Sequence, residues 1–284
     1  MSKKLLLVSF LFCSFSSYSQ LQIDTLYINN GSTSLGSDVI QALRFNETTE
    51  FNSINSVLRI VPGEELTIVV VNNDTADHNL GIPPLDSFGP TIPQQTTQII
   101  SIPPLPAGTY RFQSTSERGI ILGASMMLRV GYDDLQHFEW NLNEWDTLRT
   151  AMAAMQVPVD FAAPYVPRQF TINDRVFPNT LEDSTAYVAV DLNQELYISI
   201  VNHGFMEQVL HFHGFHVEMI QSSGHYERVG WMKDTVPLYS GECVIVKLIA
   251  NQQGVYPVHA HNLIAVTNAG FYPGGMITQI NVTE

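Results

Sequence analysis

The feature that most constrains the fold is a series of short segments rich in β-branched and aromatic residues, each bounded by Pro, Gly or Asn. In the first half of the chain they span residues 58–61, 66–71, 98–102, 108–112 and 126–130. In the second half they span residues 170–172, 186–190, 195–201, 217–220, 243–249 and 276–282. Such segments are typical of strands, and several of them separated by turn residues are typical of a β-sandwich. The sequence therefore predicts an all-β chain of two sandwich domains.

One segment between the two groups of strands favours a helix. Residues 143–156 are rich in Ala, Met and Leu and begin with Asn and Asp, and Pro158 follows closely. We predict a linker with one short helix at residues 134–165, an N-terminal domain at 20–133 and a C-terminal domain at 166–284. Two domains also suit a chain of 284 residues.

Two segments of the chain resemble each other. Residues 61–72 and 190–202 both run into a Val-Asn pair, and a His follows each pair within a dozen residues. This similarity suggests that one domain arose by duplication of the other.

The first nineteen residues have the layout of a secretory signal peptide. Lys3 and Lys4 precede the apolar run 5–12, and small polar residues at 17–19 lead to Gln20. We therefore expect a periplasmic or secreted protein. No later apolar stretch reaches the ~20 residues of a membrane helix, so no membrane association is expected. Cys243 would be the only cysteine after cleavage, which excludes an intrachain disulfide.

The charge balance argues against a nucleic-acid partner. Thirteen Lys and Arg face 27 Asp and Glu, which gives a net charge of −14. A surface that binds the phosphates of a nucleic acid needs clusters of basic residues, and no run of basic residues occurs after Lys4. The motifs of serine hydrolases, nucleotide-binding loops and zinc peptidases are missing as well. A small-molecule substrate or an external electron donor is the expected partner.

Four of the nine histidines occur in two His-x-His pairs, His211 with His213 and His259 with His261. Residues i and i+2 of a strand point to the same face, so each pair presents two imidazoles to one side. On neighbouring strands the pairs would form a four-nitrogen cluster. Imidazoles without carboxylate or thiolate fit Cu(II), Zn(II) or Ni(II), and the affinity order favours copper. Zinc and a purely structural role remain open alternatives.

The motifs around these pairs resemble a known family. Residues 194–220, 231–236 and 254–261 resemble the C-terminal cupredoxin domain of multicopper oxidases, and residues 261–264 are similar to a copper-ligand segment of copper-containing nitrite reductases. The first domain matches more weakly, at residues 58–73, 78–81 and 108–115. The resemblance implies two cupredoxin-like Greek-key β-sandwich domains and copper as cofactor. It also implies a homotrimer, with copper held between the first domain of one subunit and the second of its neighbour.

Transferring the family ligands residue by residue leaves a reduced set. His211, His213, His259 and His261 match metal ligands, and His78 matches one from the first domain. The remaining first-domain ligand pair falls on residues 113–115 and is lost. The ligands of the electron-transfer copper fall on Gln208, Ala260, Ala265 and Gly270.

A blue copper centre needs a thiolate, so this centre is predicted to be absent, and Cys243 does not replace it by spacing. Asp77, beside His78, is the candidate to orient that imidazole or to move protons.

These observations lead to three functional hypotheses. The first is an exported copper protein of the multicopper oxidase class, an oxidoreductase with a His-only copper site. The second is a non-enzymatic protein that binds or buffers copper. The third is a structural cupredoxin pair whose histidines are remnants.

Overall fold

The computed structural model describes residues 23–83, 85, 87–133 and 135–284. The predicted signal segment 1–19 lies outside these residues. Among the helices within these ranges, none has the length and apolar character needed to cross a membrane.

The N-terminal sandwich consists of two sheets with strand orders β2-β1-β4-β7 and β3-β9-β8-β5-β6. Its strands are β1 (Ile23–Leu35), β2 (Asp38–Asn46), β3 (Leu58–Ile60), β4 (Leu66–Asn72), β5 (His78–Gly81), β6 (Ser87–Ile92), β7 (Thr97–Ile102), β8 (Gly108–Ser114) and β9 (Ser125–Val130). Alternate residues of β4 are buried, as expected for a strand with one face on a core. Ile68 from one sheet and Phe112 from the other share a single core.

The C-terminal sandwich has sheet orders β11-β10-β13-β18-β15-β16 and β12-β20-β19-β14-β17. Its strands are β10 (His137–Trp145), β11 (Gln169–Ile172), β12 (Val188–Asp191), β13 (Glu195–Asn202), β14 (Gln208–Phe212), β15 (Val217–Ser222), β16 (Met232–Lys233), β17 (Thr235–Leu238), β18 (Cys243–Ile249), β19 (Gly254–Ala260) and β20 (Ile277–Thr283). Trp140, Phe212 and Val246 belong to one core, which joins the two sheets. The prediction of an all-β chain is confirmed.

Helical segments are short. They are α1 (Glu117–Ile121), α2 (Thr147–Ala154) and the 3-10 turns Asn179–Glu182, Tyr226–Arg228 and Leu263–Val266. The predicted helix at 143–156 is present as α2, with narrower bounds. It begins at Thr147 because the Asp146 carboxylate accepts hydrogen bonds from the first free backbone N–H groups.

The segment predicted as a linker belongs to both sandwiches. Strand β10 pairs in parallel with β13 and buries Phe138, Trp140 and Leu142 in the C-terminal core. Helix α2 then packs against the N-terminal sandwich, where Ala153 joins the core. The chain therefore crosses between the sandwiches more than once. The reason is the alternation of apolar and polar residues over 137–145, which forms a strand instead of a connection.

The two similar segments occupy equivalent positions. Strands β4 and β13 each pair with one parallel and one antiparallel neighbour. Each ends in a buried Asn whose side-chain amide donates to three backbone carbonyls, the first of them four residues on. For Asn72 these are Ala76, Ile92 and Pro93. For Asn202 they are Met206, Leu238 and Tyr239.

The interface between the sandwiches contains buried polar contacts as well as an apolar cluster. Arg44 of β2 is fully buried and forms an ion pair with Asp174, which follows β11, at 3.2 Å. His203 is bonded on one side to Ser125 of β9 and on the other to Asn141 of β10. These buried contacts fix the two sandwiches to each other.

Candidate functional site

The two His-x-His pairs meet at one face of the five-stranded C-terminal sheet. Strands β14 and β19 are antiparallel neighbours, with His211 directly opposite His259. The alternate residues Leu210, Phe212 and Ala260 are buried in the core, so the histidines between them point outward. The alternation of apolar and His residues is thus the local cause of the cluster. The predicted four-imidazole group is assembled as the spacing indicates.

The rings lie close together. The ring of His211 has its centroid 4.6 Å from that of His213, 5.7 Å from that of His259 and 6.0 Å from that of His261. The rings of His213 and His259 are 5.1 Å apart. With metal–nitrogen bonds of about 2.0–2.1 Å, the centroid of a bound ring lies about 3 Å from the ion, so two rings on one ion can be up to about 6 Å apart. All four separations meet this limit.

Two of the rings are held by the backbone in a tautomer suited to metal binding. The Nδ1 atom of His211 lies 3.2 Å from the carbonyl oxygen of Asp234, and that of His259 lies 2.9 Å from the carbonyl oxygen of Ala260. A carbonyl only accepts, so each Nδ1 carries the hydrogen and each Nε2 keeps a free lone pair. Metal-binding histidines are typically oriented by such a second hydrogen bond.

The third ring, that of His213, is hydrogen-bonded to His259, and its pKa depends on the neighbouring imidazoles. The Nε2 atoms of His213 and His259 are 3.0 Å apart. Since Nδ1 of His259 already donates, Nε2 of His213 donates in the neutral pair. Desolvation, followed by repulsion from His211 and His259, lowers the pKa of His213 below its ordinary value. The neutral form is the one that binds metal.

The four imidazoles are donors that fit a metal ion, but their side-chain torsions do not direct the nitrogens toward one common position. Over the part of the chain that the structure describes, no three His, Cys, Asp or Glu side chains are arranged to hold an ion. The backbone sets the ring spacing, and rotation of side chains would bring the nitrogens together. His213 and His261 are exposed, so there is space around these two rings for such a rotation.

His78 does not lie in this cluster but in the N-terminal sandwich, where it is fully buried. Its Nδ1 is 2.8 Å from the hydroxyl of Ser114, and its Nε2 is 3.1 Å from a carboxylate oxygen of Asp74. Binding a metal would require His78 to give up one of these bonds. Its predicted contribution across a subunit boundary stays a prediction.

The carboxylate beside His78 is Asp74, where the sequence indicated Asp77. Asp77 is exposed and accepts a hydrogen bond from the backbone N–H of Gln94. Burial alone would raise the pKa of Asp74, but hydrogen bonds from Arg118 and His78 hold it well below its usual range. The i,i+4 spacing of Asp74 and His78 across the turn before β5 was the signal that sequence reasoning missed.

Cys243 lies in a different sheet from the four imidazoles, and its burial disfavours the thiolate form. It lies on β18, in the other sheet, and packs with Met127 and Val201 between the sandwiches. Burial raises the pKa of its thiol to about 12. Ala260 and Ala265, at two positions of the predicted missing centre, are fully buried in the core. Among the described residues, Cys243 is the only cysteine, so the cluster has no thiolate within it.

Comparison with known proteins identifies the second domain. Residues 154–280 match the family model described as multicopper oxidase. Over these residues the C-terminal sandwich is similar to multicopper oxidases. All four clustered histidines lie within the matched segment, which begins at the last residue of α2. The resemblance seen in the sequence is confirmed. No curated protein matches the chain by sequence.

Solved structures extend the similarity to the whole chain. A blue copper oxidase from Nitrosomonas europaea is 20% identical, with 92% of this chain and 85% of that chain covered and a TM-score of 0.77. A copper nitrite reductase from the same organism is 16% identical, with 93% and 94% covered and a TM-score of 0.68. A copper-containing nitrite reductase from Thermus scotoductus is 14% identical, with 92% and 61% covered and a TM-score of 0.70. These likenesses establish the fold, so both sandwiches, including the one ahead of the matched segment, are cupredoxin-like.

Proposed function

We propose that the chain is a copper-binding protein whose ion is held by His211, His213, His259 and His261. The observation that carries the proposal is the pair of backbone hydrogen bonds that place the proton of His211 and of His259 on Nδ1, so that each Nε2 has a lone pair that can bind a metal.

Copper is favoured by the chemistry of the donors. Imidazole nitrogens suit copper and zinc, and copper has the higher affinity of the two in the general order for divalent ions. The structures similar in fold are named as a copper oxidase and copper nitrite reductases, which agrees with this assignment. Cys243 is buried in the other sheet, so we propose a site without a blue copper centre.

Oxidoreductase activity is the second candidate function. A bound copper ion with an open position supplies redox chemistry and a place for a small oxidant. The exposure of His213 and His261 favours this candidate because small molecules reach both rings from solvent. We further propose export directed by residues 1–19, and a homotrimer in which His78 of a neighbouring subunit completes the site.

The copper proposal is tested by titrating the metal-free protein with Cu(II), followed by electron paramagnetic resonance and isothermal calorimetry. We expect at least one tightly bound equivalent with nitrogen hyperfine structure. The double variant His211→Ala/His259→Ala should lose it. His225→Ala is the control because His225 contacts Glu227 elsewhere on the surface and should bind copper unchanged. Equal copper binding by all three proteins, or preference for zinc in competition, would contradict the proposal.

Activity is tested separately on copper-loaded protein. Oxidation of a phenol under oxygen, or reduction of nitrite with a chemical reductant, should occur in the parent protein and fall at least tenfold in His261→Ala. Retained copper without turnover by either protein would leave copper binding as the function.

A further inference from the structure

A cleft opens at the edge of the C-terminal sandwich, beside the histidine cluster. Its volume is about 240 Å³. The edge is open because β16 belongs to one sheet and β17 to the other, and the chain crosses between them at Asp234 without joining them by a ladder. Val217, Met219 and Val236 line the cleft although each is almost fully buried. The cleft therefore reaches the apolar core.

The rim of the cleft differs from its floor. Trp231 and Lys233 line the rim from residues 231–236, the crossing segment that connects the two sheets, and Trp231 is 44% exposed. The ammonium of Lys233 is 6.0 Å from the indole centroid, the outer limit of a cation–π contact. Across the described ranges, Lys233 forms no ion pair, whereas Arg228 and Lys247 of the same sandwich are each paired with a glutamate. An apolar floor with an aromatic face and one available cation at its mouth is complementary to an aromatic anion.

The size of the cleft limits the ligand. Pockets for drug-sized molecules measure about 300–1,000 Å³, and this cleft is smaller. One six-membered ring with short substituents fills such a space. The hydroxyl of Thr235 adds a polar group to the lining, suited to a ring substituent.

The crossing segment also forms part of the histidine cluster. Thr235 lies opposite His211 in the β14–β17 ladder, and the carbonyl of Asp234, between Lys233 and Thr235, accepts the hydrogen bond from Nδ1 of His211. A ligand in the cleft would therefore lie against the segment that orients one of the four imidazoles.

We propose that this cleft binds a single-ring aromatic carboxylate, with the ring against Trp231 and the carboxylate at Lys233. The binding does not depend on copper. Only the significance of a ligand beside His211 for the copper site rests on the proposed function.

Binding is measured on the metal-free protein with 4-hydroxybenzoate as the probe. Trp231 is a selective reporter because the other two tryptophans, Trp140 and Trp145, are 0% and 1% exposed. We expect saturable quenching of the exposed tryptophan emission, with half-saturation at about 0.1–1 mM, as for a ligand of some ten heavy atoms.

The matched variants test the assignment of the cation. Lys233→Gln should weaken binding about tenfold or more because a charge-assisted hydrogen bond is lost. Lys247→Gln is the control, since Lys247 is paired with Glu218 and does not line the cleft. The neutral analogue 4-hydroxybenzyl alcohol should bind the parent protein and Lys233→Gln equally weakly.

No quenching up to 10 mM, or the same affinity in Lys233→Gln as in the parent, would overturn the proposal. Because the assay contains no metal, its failure leaves the copper proposal intact, and failure of copper binding leaves this one intact.

Discussion

The four imidazoles differ in how firmly their neighbours hold them. His211 and His259 are fixed by backbone carbonyls, His213 is fixed only by His259, and His261 touches the group through the ring of His211. The order of support suggests that His259 is the most consequential of the four, since it both offers a nitrogen and orients a neighbour.

A substitution at His259 should therefore weaken copper binding more than one at His261. We expect His259→Ala to lower the apparent copper affinity by about 100-fold or more, and His261→Ala by about tenfold, by analogy with the cost of removing a ligand together with an orienting contact. Competition against a copper chelator measures both. A larger loss in His261→Ala would contradict the order.

The missing thiolate has a spectroscopic consequence. The copper-loaded protein should show no intense band near ~600 nm, since that band needs a copper–thiolate bond. Cys243→Ser should leave the copper content and the spectrum unchanged. A blue colour that disappears in Cys243→Ser would show that the buried thiol had become a ligand.

Much of the site was readable from single residues. The i,i+2 spacing and the apolar residues between the histidines were sufficient to predict the cluster. The sequence could not reveal that the carbonyl of Asp234 orients His211, because this contact depends on the pairing of β14 with β17. The partner of His78 was placed at the adjacent Asp77, whereas the local turn before β5 brings Asp74, four residues away, to the imidazole.

At the scale of elements, the repeated Asn at the end of β4 and β13 explains why the same turn recurs in both sandwiches. In the C-terminal sandwich, this turn leads from β13 into β14, the strand that carries His211. Its amide donates to three carbonyls at the point where the chain leaves the sheet, and one of them belongs to the fully buried Leu238.

Asn202→Ala should destabilise the protein by about 3 kcal/mol because it removes the donor of three carbonyls, among them that of the fully buried Leu238. Asn251→Ala, at an exposed loop position, is the control and should cost less than about 0.5 kcal/mol. Urea denaturation followed by circular dichroism measures both. Equal midpoints for the two variants would mean that solvent satisfies the carbonyls of the turn.

Element prediction succeeded where strands were short and β-branched. The strands that it missed include β1, β2 and β10. The sequence of β1 contains Asn-Asn-Gly-Ser, which is typical of a turn, yet β1 is held by a parallel ladder to β4 and an antiparallel one to β2. Long-range pairing overrides local preference in such strands. Strand β10 carries alternation but few β-branched residues, so only its partner β13 reveals it.

At the scale of the whole molecule, two sandwiches are joined through buried charge. The charge of the buried Arg44 is compensated by its neighbours. Its guanidinium pairs with Asp174 and donates to the carbonyls of Ser53 and Leu43. It also lies 5.0 Å from the ring centre of Trp145. Desolvation still lowers the pKa of Arg44 below its usual range, against the opposing effect of Asp174.

Removing Asp174 would leave Arg44 buried without its counter-ion. Asp174→Ala should cost about 3–5 kcal/mol of unfolding free energy. Asp133→Ala removes the 56% exposed partner of Arg129 and should cost less than about 1 kcal/mol. Guanidinium denaturation compares them, and a loss of similar size in both would show that the interface tolerates the free charge.

The interface should also respond to acid through His203. Desolvation, helped by the positive charge of Arg111, lowers the pKa of His203 to about 3, whereas the unfolded chain titrates near ~6.5. The unfolded state therefore takes up the proton first as pH falls. The stability that neutral His203 provides is complete above about pH 6.5 and is lost progressively down to about pH 3.

Between pH 7 and pH 5 this one group should remove about 2 kcal/mol of unfolding free energy. His203→Gln should show a shallower pH dependence over the same interval, at some cost in stability at pH 7. Denaturation midpoints at the two pH values provide the measurement, and parallel slopes for the variant and the parent would contradict the assignment.

Strand β10 precedes α2 in the chain, yet it is part of the second sandwich. A gene fragment encoding only residues 154–280 would omit the strand between β11 and β13, and with it Trp140. A fragment long enough to include β10 would also contain α2, but without the N-terminal sandwich against which α2 packs. No single cut in the gene therefore separates the two sandwiches, and we expect the two halves of this protein to have been inherited together.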